Sequence, residues 1–271
     1  MSLPPVQHTG TVPNPDAVLS TVRERLTAAG CVAAEEEARA LVDAAPDGDA
    51  LEGWLVRRED GEPLAWLVGT VRFCGRTLHV DPGVYVPRPQ SEELARRAAE
   101  LLPGGGRAID LCTGAGAVAA HLAATVPTAA VVGVDLDPRA VSCARRNRVD
   151  ALVADLGAAL RPRCADVVTA VAPYVPTDRL RLLPIDVQRY EPRLGLDGGP
   201  DGLDLVRRVV EHASRLLRRS GHLLVEVGGD QHGALDPTLR SCGFAAVTPW
   251  FDQDGDLRGI VARSARPGSE D

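Results

Sequence analysis

The sequence predicts an α/β fold, in which a small helical domain and a β-hairpin connector precede a mostly parallel sheet with helices on both faces. Three observations lead to this prediction. Helical patterns extend to residue 69 after a Pro- and Thr-rich arm over 1–14 that is expected to be disordered or loosely docked, apolar runs alternate with helical stretches from residue 107 onward, and the C-terminal part ends in a hairpin pattern. We therefore divide the chain into a helical domain over 1–69, a connector over 70–87 and an α/β domain over 88–271.

Short helices are predicted throughout the N-terminal domain. Apolar side chains recur at helical spacing between Val18 and Leu26, and Gly30 supplies a stop signal. Further helical patterns cover 33–45, 49–58 and 62–68. None of these segments carries a set of residues that could form a catalytic site, so we expect the catalytic residues in the rest of the chain.

The connector changes character, because β-branched and alternating apolar residues replace the helical pattern. Gly75 and the turn Asp81-Pro82-Gly83 interrupt these residues, which predicts a β-hairpin. A helix is predicted to follow, with Ser91 as its N-cap and its end near Leu102.

The α/β domain is predicted from alternating strand and helix patterns. The predicted strands are 107–111, 130–135, 151–154, 166–171 and 221–227, and the predicted helices are 117–125, 138–147 and 202–219. Such alternation is typical of a parallel sheet covered on both faces. The two last strands, 244–248 and 257–263, flank a turn and predict an antiparallel hairpin, which brings the sheet to seven strands.

Composition narrows the classes of function. The 271 residues carry a net charge of −7, and all basic residues are Arg, so the chain repels polyanions and we expect no nucleic-acid partner. The six cysteines are scattered without ligand spacing, so no metal site is expected. The sequence has neither a signal-peptide pattern nor an apolar run of about 18 residues, and we expect a cytoplasmic protein without membrane contact.

A glycine-rich turn follows the first predicted strand of the sheet. Gly114 and Gly116 allow a tight turn and a close approach of the backbone to a ligand. Two cofactors fit parts of this pattern. The glycine spacing, with Asp135 nineteen residues after Gly116, fits a dinucleotide. Asp110, four residues before Gly114, favours S-adenosylmethionine (SAM) instead, because a diphosphate gains nothing from a carboxylate at that position.

Several longer motifs carry a more specific resemblance. They are GEPLAWLVG (61–69), VPRPQSE (86–92), DLCTGAG (110–116), VDLDPRAVSCARRN (134–147), EPRLGLDGGPDGLD (191–204) and LLVEVG (223–228). Over nearly its whole length the chain resembles the HemK/PrmC family of protein-glutamine N-methyltransferases, which act on translation proteins such as release factors. The resemblance implies a Rossmann-like SAM-dependent methyltransferase domain, with the helical N-terminal domain recognising the substrate.

The resemblance also implies roles for the residues of the cofactor site. Asp110 would face the sulfonium-bearing amino acid part of SAM, Asp135 both ribose hydroxyls, and Asp155 the adenine amino group. A helix N-cap is an alternative role for Asp155, and pairing with an acid is an alternative for Arg88. The expected cofactor residues are Arg88, Asp110, Thr113, Gly114, Gly116, Asp135, Leu136 and Asp155.

The acceptor site departs from the family pattern. The family carries Asn-Pro-Pro-Tyr after its fourth strand, where this chain has Val171, Ala172, Pro173 and Tyr174. In the family, the Asn side chain and the carbonyl group of the next residue accept hydrogen bonds from the target NH₂. Val171 cannot accept one, whereas the Ala172 carbonyl group and the Tyr174 ring remain. Gln90 is a second departure, because the family has an acid there.

Three hypotheses about the acceptor stay open at this point. The first is a diverged methyltransferase for another planar nitrogen, such as a guanidinium or a small molecule, with Asp178, Glu191 or Glu226 supplying a polar contact. The second is a protein-glutamine methyltransferase whose amide is satisfied by other groups. The third is a SAM-binding homologue without catalysis. For Glu226, at the end of a predicted strand, purely structural pairing is an alternative.

Overall fold

The computed structural model describes residues 14–265 and confirms the α/β fold. Contacts within the chain divide it into two compact units, with the boundary between Val68 and Gly69. The predicted boundary after residue 69 lies one residue later, and the connector belongs to the second unit. The ends of the predicted outer domains, 1–13 and 266–271, lie outside the described residues.

Four helices form the described part of the first unit. They are α1 (Pro15–Ala28), α2 (Ala34–Ala44), α3 (Gly48–Glu59) and α4 (Leu64–Val68). Leu26, Leu41 and Leu55 are almost completely buried where these helices pack together. Asn14 and Asp47 cap α1 and α3, each by accepting a hydrogen bond from a backbone N–H of the first turn.

The second unit begins with the predicted hairpin. Its antiparallel strands are β1 (Thr70–Phe73) and β2 (Arg76–His79). Cys74 and Gly75, between the strands, both have positive φ, as a tight two-residue hairpin turn requires.

A seven-stranded sheet forms the centre of the second unit. Its strands are β3 (Arg107–Leu111), β4 (Ala130–Asp135), β5 (Asp150–Val153), β6 (Ala165–Ala170), β7 (Leu217–Glu226), β8 (Phe244–Phe251) and β9 (Leu257–Ser264). Their order across the sheet is β5-β4-β3-β6-β7-β9-β8. The first five strands are parallel, whereas β9 is antiparallel to both of its neighbours.

Helices cover both faces of this sheet. They are α5 (Glu92–Leu101), α6 (Ala117–Thr125), α7 (Pro138–Arg146), α9 (Asp204–Leu216) and α10 (Gln231–Ser241). A further short helix, α8 (Ile185–Tyr190), lies in the segment between β6 and α9. Successive strand residues point to opposite faces, so Val168 packs in the core beneath α9 and α10, and Val167 in the core beneath α5 and α6. Both faces are therefore apolar, which leaves the ends of the strands for polar groups.

Two predictions about element ends are wrong. The helix predicted over 202–219 ends at Leu216, because Leu217 pairs with Ala165 of β6 and Arg218 forms an ion pair with Asp166. Ser91 does not cap α5, because its hydroxyl group donates a hydrogen bond to Glu226 instead. In both places tertiary contacts override a local helix signal.

Every helix within residues 14–265 is too short or too polar to cross a lipid bilayer.

Candidate active site

A topological switch point lies in the middle of the sheet. The chain passes from β3 through β4 to β5, and β6 then pairs with the other side of β3. In open α/β sheets, ligands bind in the crevice that such a reversal leaves at the C-terminal strand ends. A cavity of about 1210 Å³, including the part open to solvent, lies here, and residues at and after the ends of β3, β4 and β6 line it.

Asp110 is the most buried carboxylate that lines this cavity. Its side chain accepts hydrogen bonds from the hydroxyl groups of Thr113, at 2.6 Å, and Thr169, at 2.7 Å. Within residues 14–265 no cationic side chain forms an ion pair with it, and burial raises the pKa of Asp110 to about 6. Its negative charge is therefore solvated by two hydroxyl groups and remains available to a cationic ligand.

The glycine turn is held by the second carboxylate. Asp135, at the end of β4, accepts hydrogen bonds from the backbone N–H groups of Gly114, at 2.8 Å, and Asp137, at 3.0 Å. Each carboxylate oxygen can accept a further hydrogen bond. A Cβ at Gly114 would meet no atom within 4 Å, so the backbone there borders open space in the cavity.

Gly116 serves the turn in another way. It does not line the cavity, and a Cβ there would approach Ala144 and Val149 to 3.0 Å. Its φ of +81° also favours glycine. The structure shows close packing of the loop against α7 at this residue, and the expected ligand contact of Gly116 stays a prediction.

Asp155 and Leu136 line the part of the cavity that follows β4 and β5. Asp155 does not cap a helix, since a turn follows it. It forms an exposed ion pair with Arg208 of α9, with 2.7 Å between the nitrogen and oxygen atoms. Arg208 lines the same cavity and brings a cationic group to this region.

Arg88 lies on another wall of the cavity. It forms an ion pair with the buried carboxylate of Glu191, and its guanidinium carbon lies 5.1 Å from the ring centre of Tyr85. One carboxylate oxygen of Glu191, Oε2, is buried without a hydrogen-bond partner, and burial raises the pKa of this residue. The expected pairing of Arg88 with an acid is thus present beside its exposure to the cavity.

The segment 171–174 follows β6 at the same edge of the sheet. Val171 and Pro173 line the cavity, so this wall presents apolar side chains to a ligand. Ala172 is buried in the core beneath α9 and α10. Tyr174 does not line the cavity, and its hydroxyl group donates a hydrogen bond of 2.7 Å to Glu226.

Glu226 lies at the end of β7 and is 3% exposed. Its second oxygen accepts a hydrogen bond of 2.6 Å from the hydroxyl group of Ser91. Burial raises the pKa of Glu226 above the ordinary glutamate value. Both oxygens are thus engaged by hydroxyl groups and the side chain does not line the cavity, while the site role expected of Glu226 stays a prediction.

The loop 197–204 holds Tyr174 from the main-chain side. The side chain of Gln231 donates hydrogen bonds to the carbonyl oxygens of Tyr174, at 2.9 Å, and Asp201, at 3.1 Å. A Cβ at Gly202 would lie 2.2 Å from the Tyr174 carbonyl oxygen. The absence of a side chain at Gly202 therefore allows the loop to pack closely against the segment 171–174.

Four residues of the site were not assigned a site role from the sequence. Thr169 and Arg208 lie within a strand and a helix whose patterns concern packing alone. Tyr85 could have been found, since aromatic residues make up only 3% of the chain and it lies beside the Pro-Arg-Pro motif. Ser91 was interpreted as a helix cap, and its actual partner is distant in sequence.

Several known proteins are similar to this chain in sequence. Residues 108–184 match the model of a methyltransferase domain. The release factor glutamine methyltransferase of Geobacter sulfurreducens is 38% identical over 220 residues, which cover 79% of this chain and 78% of the relative. That of Mycobacterium leprae is 42% identical over 213 residues, which cover 74% of each chain.

A solved structure shows the same fold. The methyltransferase from Pyrococcus furiosus superposes with a TM-score of 0.52 at 15% identity, covering 79% of this chain and 98% of that one. Its likeness concerns the fold alone.

The cavity fits the cofactor of these enzymes. SAM carries a positively charged sulfur and an ammonium group, and Asp110 presents a buried carboxylate that has no cationic partner among the described residues. The open backbone at Gly114 leaves room for the ligand beside it. The chain is a SAM-dependent methyltransferase, and it belongs to the family of release factor glutamine methyltransferases.

Proposed function

We propose that this chain methylates the side-chain amide nitrogen of a glutamine in a release factor. The observation that carries the proposal is that one cavity is lined both by Asp110 and Asp135 and by Val171 and Pro173. A methyl donor and an acceptor nitrogen can therefore meet in one cavity. The names of the relatives supply the acceptor: release factor glutamine methyltransferases at 31–42% identity.

The carboxylates are proposed to bind the cofactor. Asp110 would face the cationic amino acid part of SAM, and Asp135 would accept hydrogen bonds from the ribose hydroxyls with its remaining lone pairs. Asp155 would reach the adenine amino group, while Arg88 would orient the methionine end. Thr113 and Leu136 line the same space.

When bound, SAM supplies an electrophilic methyl group on a positively charged sulfur. The protein has to hold the acceptor nitrogen in line with that methyl group, because the lone pair of an amide nitrogen is delocalised and weakly nucleophilic. The N–C bond forms as the C–S bond breaks, and the nitrogen then loses one proton to solvent. The Ala172 carbonyl group and the Tyr174 ring are proposed to hold the acceptor.

Val171 is proposed to limit this reaction. Where the family has asparagine, the cavity wall here has an aliphatic side chain. One N–H of the glutamine amide would then lack a hydrogen-bond acceptor from this residue, which costs about 1–3 kcal/mol.

A protein substrate is supported by exposed apolar side chains in the segment that follows the acceptor residues 171–174 along the chain. Three apolar side chains between residues 177 and 195 are more than half exposed: Leu182 by 71%, Ile185 by 66% and Leu194 by 63%. Leu194 also lines the cavity. Exposed apolar groups of this kind are typical of surfaces that contact another protein.

A second candidate acceptor follows from Val171. It is another planar nitrogen, such as a guanidinium or a nitrogen of a small molecule, whose N–H groups would be accepted by a carboxylate and not by residue 171. Glu191, which pairs with the cavity residue Arg88 and has a buried oxygen without a partner, would supply such a carboxylate.

Transfer of a radiolabelled methyl group from SAM tests the proposal. We expect label in a purified release factor, and none in the same factor when its target glutamine is replaced by alanine. Asp110→Asn of the enzyme is the negative control. Label that persists without the glutamine, or that appears only in arginine or in a small molecule, would contradict the proposed acceptor.

A further inference from the structure

We infer that Glu226 is a positioning residue, whose buried carboxylate joins two walls of the acceptor end and thereby sets the place of Tyr174. The two walls are the segment 171–174, after β6, and the segment 88–91, before α5. This inference rests on the proposed function in so far as residues 171–174 form the acceptor site.

The geometry of the three residues carries the inference. Glu226 Oε1 accepts a hydrogen bond from the Tyr174 hydroxyl at 2.7 Å, and Oε2 accepts one from the Ser91 hydroxyl at 2.6 Å. The residues lie 52 and 135 positions from Glu226 in the sequence, so no local structure brings them together. Ser91 lines the cavity beside Arg88, and Tyr174 follows two cavity residues, Val171 and Pro173.

The negative charge of Glu226 fits a role as the acceptor of these two hydrogen bonds. An ionised carboxylate can only accept hydrogen bonds, and both of its partners here are hydroxyl donors. Within residues 14–265 no cationic side chain forms an ion pair with Glu226, and Arg258 acts on it only through a longer-range attraction. A buried carboxylate without a counter-ion does not favour folding, so stability alone does not account for it.

Other contacts of Tyr174 hold its main chain and its ring, whereas Glu226 holds its hydroxyl group. Gln231 fixes the main chain of Tyr174, and Val175 exchanges backbone hydrogen bonds with Leu196 and Gly198. The ring packs against the core beneath α9 and α10, and the Gln90 side chain also acts on the hydroxyl group. Glu226 accepts the hydrogen bond of that hydroxyl group and so fixes the outer end of the ring. A small displacement of an acceptor-binding group has a large kinetic effect, because the reacting atoms have to be aligned.

Steady-state kinetics with SAM and a release factor test the inference. Glu226→Gln has the same size but no negative charge, and we expect it to lower kcat by about tenfold or more. We expect the Kd for SAM to stay within about twofold, since Asp110 and Asp135 are untouched. Glu211→Gln, at an exposed carboxylate of α9, is the matched control and should behave as the wild type.

Tyr174→Phe separates positioning from a general structural role. If Glu226 acts through the Tyr174 hydroxyl, the double variant Tyr174→Phe/Glu226→Gln should be about as slow as the slower single variant. Independent, multiplying effects would overturn the inference. So would an unchanged kcat in Glu226→Gln, or a loss of SAM affinity and melting temperature in step with activity.

A nuclear magnetic resonance measurement that needs no methyl acceptor tests the role of Glu226 separately from the proposed function. In protein labelled with ¹³C at the tyrosine ring carbon that bears the hydroxyl, the Tyr174 signal is identified by its loss in Tyr174→Phe. We expect that signal to shift in Glu226→Gln and to stay in place in Glu211→Gln. If the wild type does not methylate a release factor, the proposed function fails, and an unmoved Tyr174 signal would separately overturn the role of Glu226.

Discussion

Asp110 combines complete burial with a negative charge that no cation in the described chain balances. The pKa of Asp110 is raised to about 6, above the 3.8 of an ordinary aspartate, because burial disfavours the charged form. Protonation of Asp110 therefore stabilises the folded state. This contribution is fully present below about pH 3.8 and is lost as the pH rises through about 6. At neutral pH the ligand-free chain carries an unfavourable buried charge, which a cationic ligand would offset.

This linkage predicts that SAM affinity depends on pH. We expect the affinity to fall as the pH drops below about 6, by up to about tenfold per pH unit, because the neutral carboxyl no longer attracts the cation. Calorimetric titration between pH 5 and pH 8 measures this. Asp110→Asn should bind SAM weakly throughout and show a flatter profile; affinity that stays constant to pH 5 in the wild type would refute the account.

The two glycines of the turn predict different defects. Gly116→Ala should lower the free energy of unfolding by about 1–3 kcal/mol, because its φ is positive and the added Cβ would press on α7. Gly114→Ala also adds a Cβ at positive φ, but into open space, and should chiefly weaken SAM binding. Denaturant unfolding and SAM titration of both variants separate the effects. Equal loss of stability in the two would be inconsistent with the packing described.

Val171 predicts a gain of activity. Val171→Asn supplies a hydrogen-bond acceptor at the cavity wall and should raise kcat/KM for release factor glutamine by about tenfold or more. Val171→Ala is the matched control, since it changes size without adding an acceptor and should give no rise. A Val171→Asn enzyme no faster than the wild type would show that another group already holds the amide.

We expect the loop 197–204 to affect methyl transfer, because it packs against the acceptor segment 171–174. A Cβ at Gly202 would collide with the Tyr174 carbonyl group and with Gln231, so Gly202→Ala should displace the acceptor segment. We expect methyl transfer to fall by about tenfold or more while SAM affinity changes little. Gly233→Ala, in α10 where nothing lies within 4 Å, should leave transfer intact and slightly stabilise the helix. Equal transfer by the two variants would argue against this role of the loop.

Strands and helices of the sheet could be predicted because their patterns are local. The buried strand over 107–111, for example, coincides with β3, and the end of β4 at Asp135 matches its prediction. The failures at 217–219 and at Ser91 share one cause. Pairing with β6 and a hydrogen bond to Glu226 connect residues far apart in the sequence, and a local pattern does not carry such contacts.

The candidate site could be predicted where a residue follows a strand or a glycine turn. Asp110, Asp135 and Val171 were found in this way, since the C-terminal ends of parallel strands meet at one edge. Whether a side chain faces the cavity or supports it from behind was not predictable. Gly116 and Glu226 both lie behind the cavity, because packing of α7 and of β7 decides their surroundings.

The second unit holds both ends of the proposed reaction. All cavity-lining residues lie between Phe73 and Arg208, and the first unit has a separate core of its own. The cofactor carboxylates follow β3 and β4, and the acceptor segment follows β6, so the switch point of the sheet places donor and acceptor side by side. This juxtaposition is the central claim about the protein.

A crystal structure with the demethylated product of SAM tests that claim most directly. We expect the ribose against Asp135, the adenine near Asp155, the amino acid part near Asp110, and the sulfur directed toward Val171 and Ala172. A ligand bound elsewhere, or one whose sulfur points away from the segment after β6, would contradict the account.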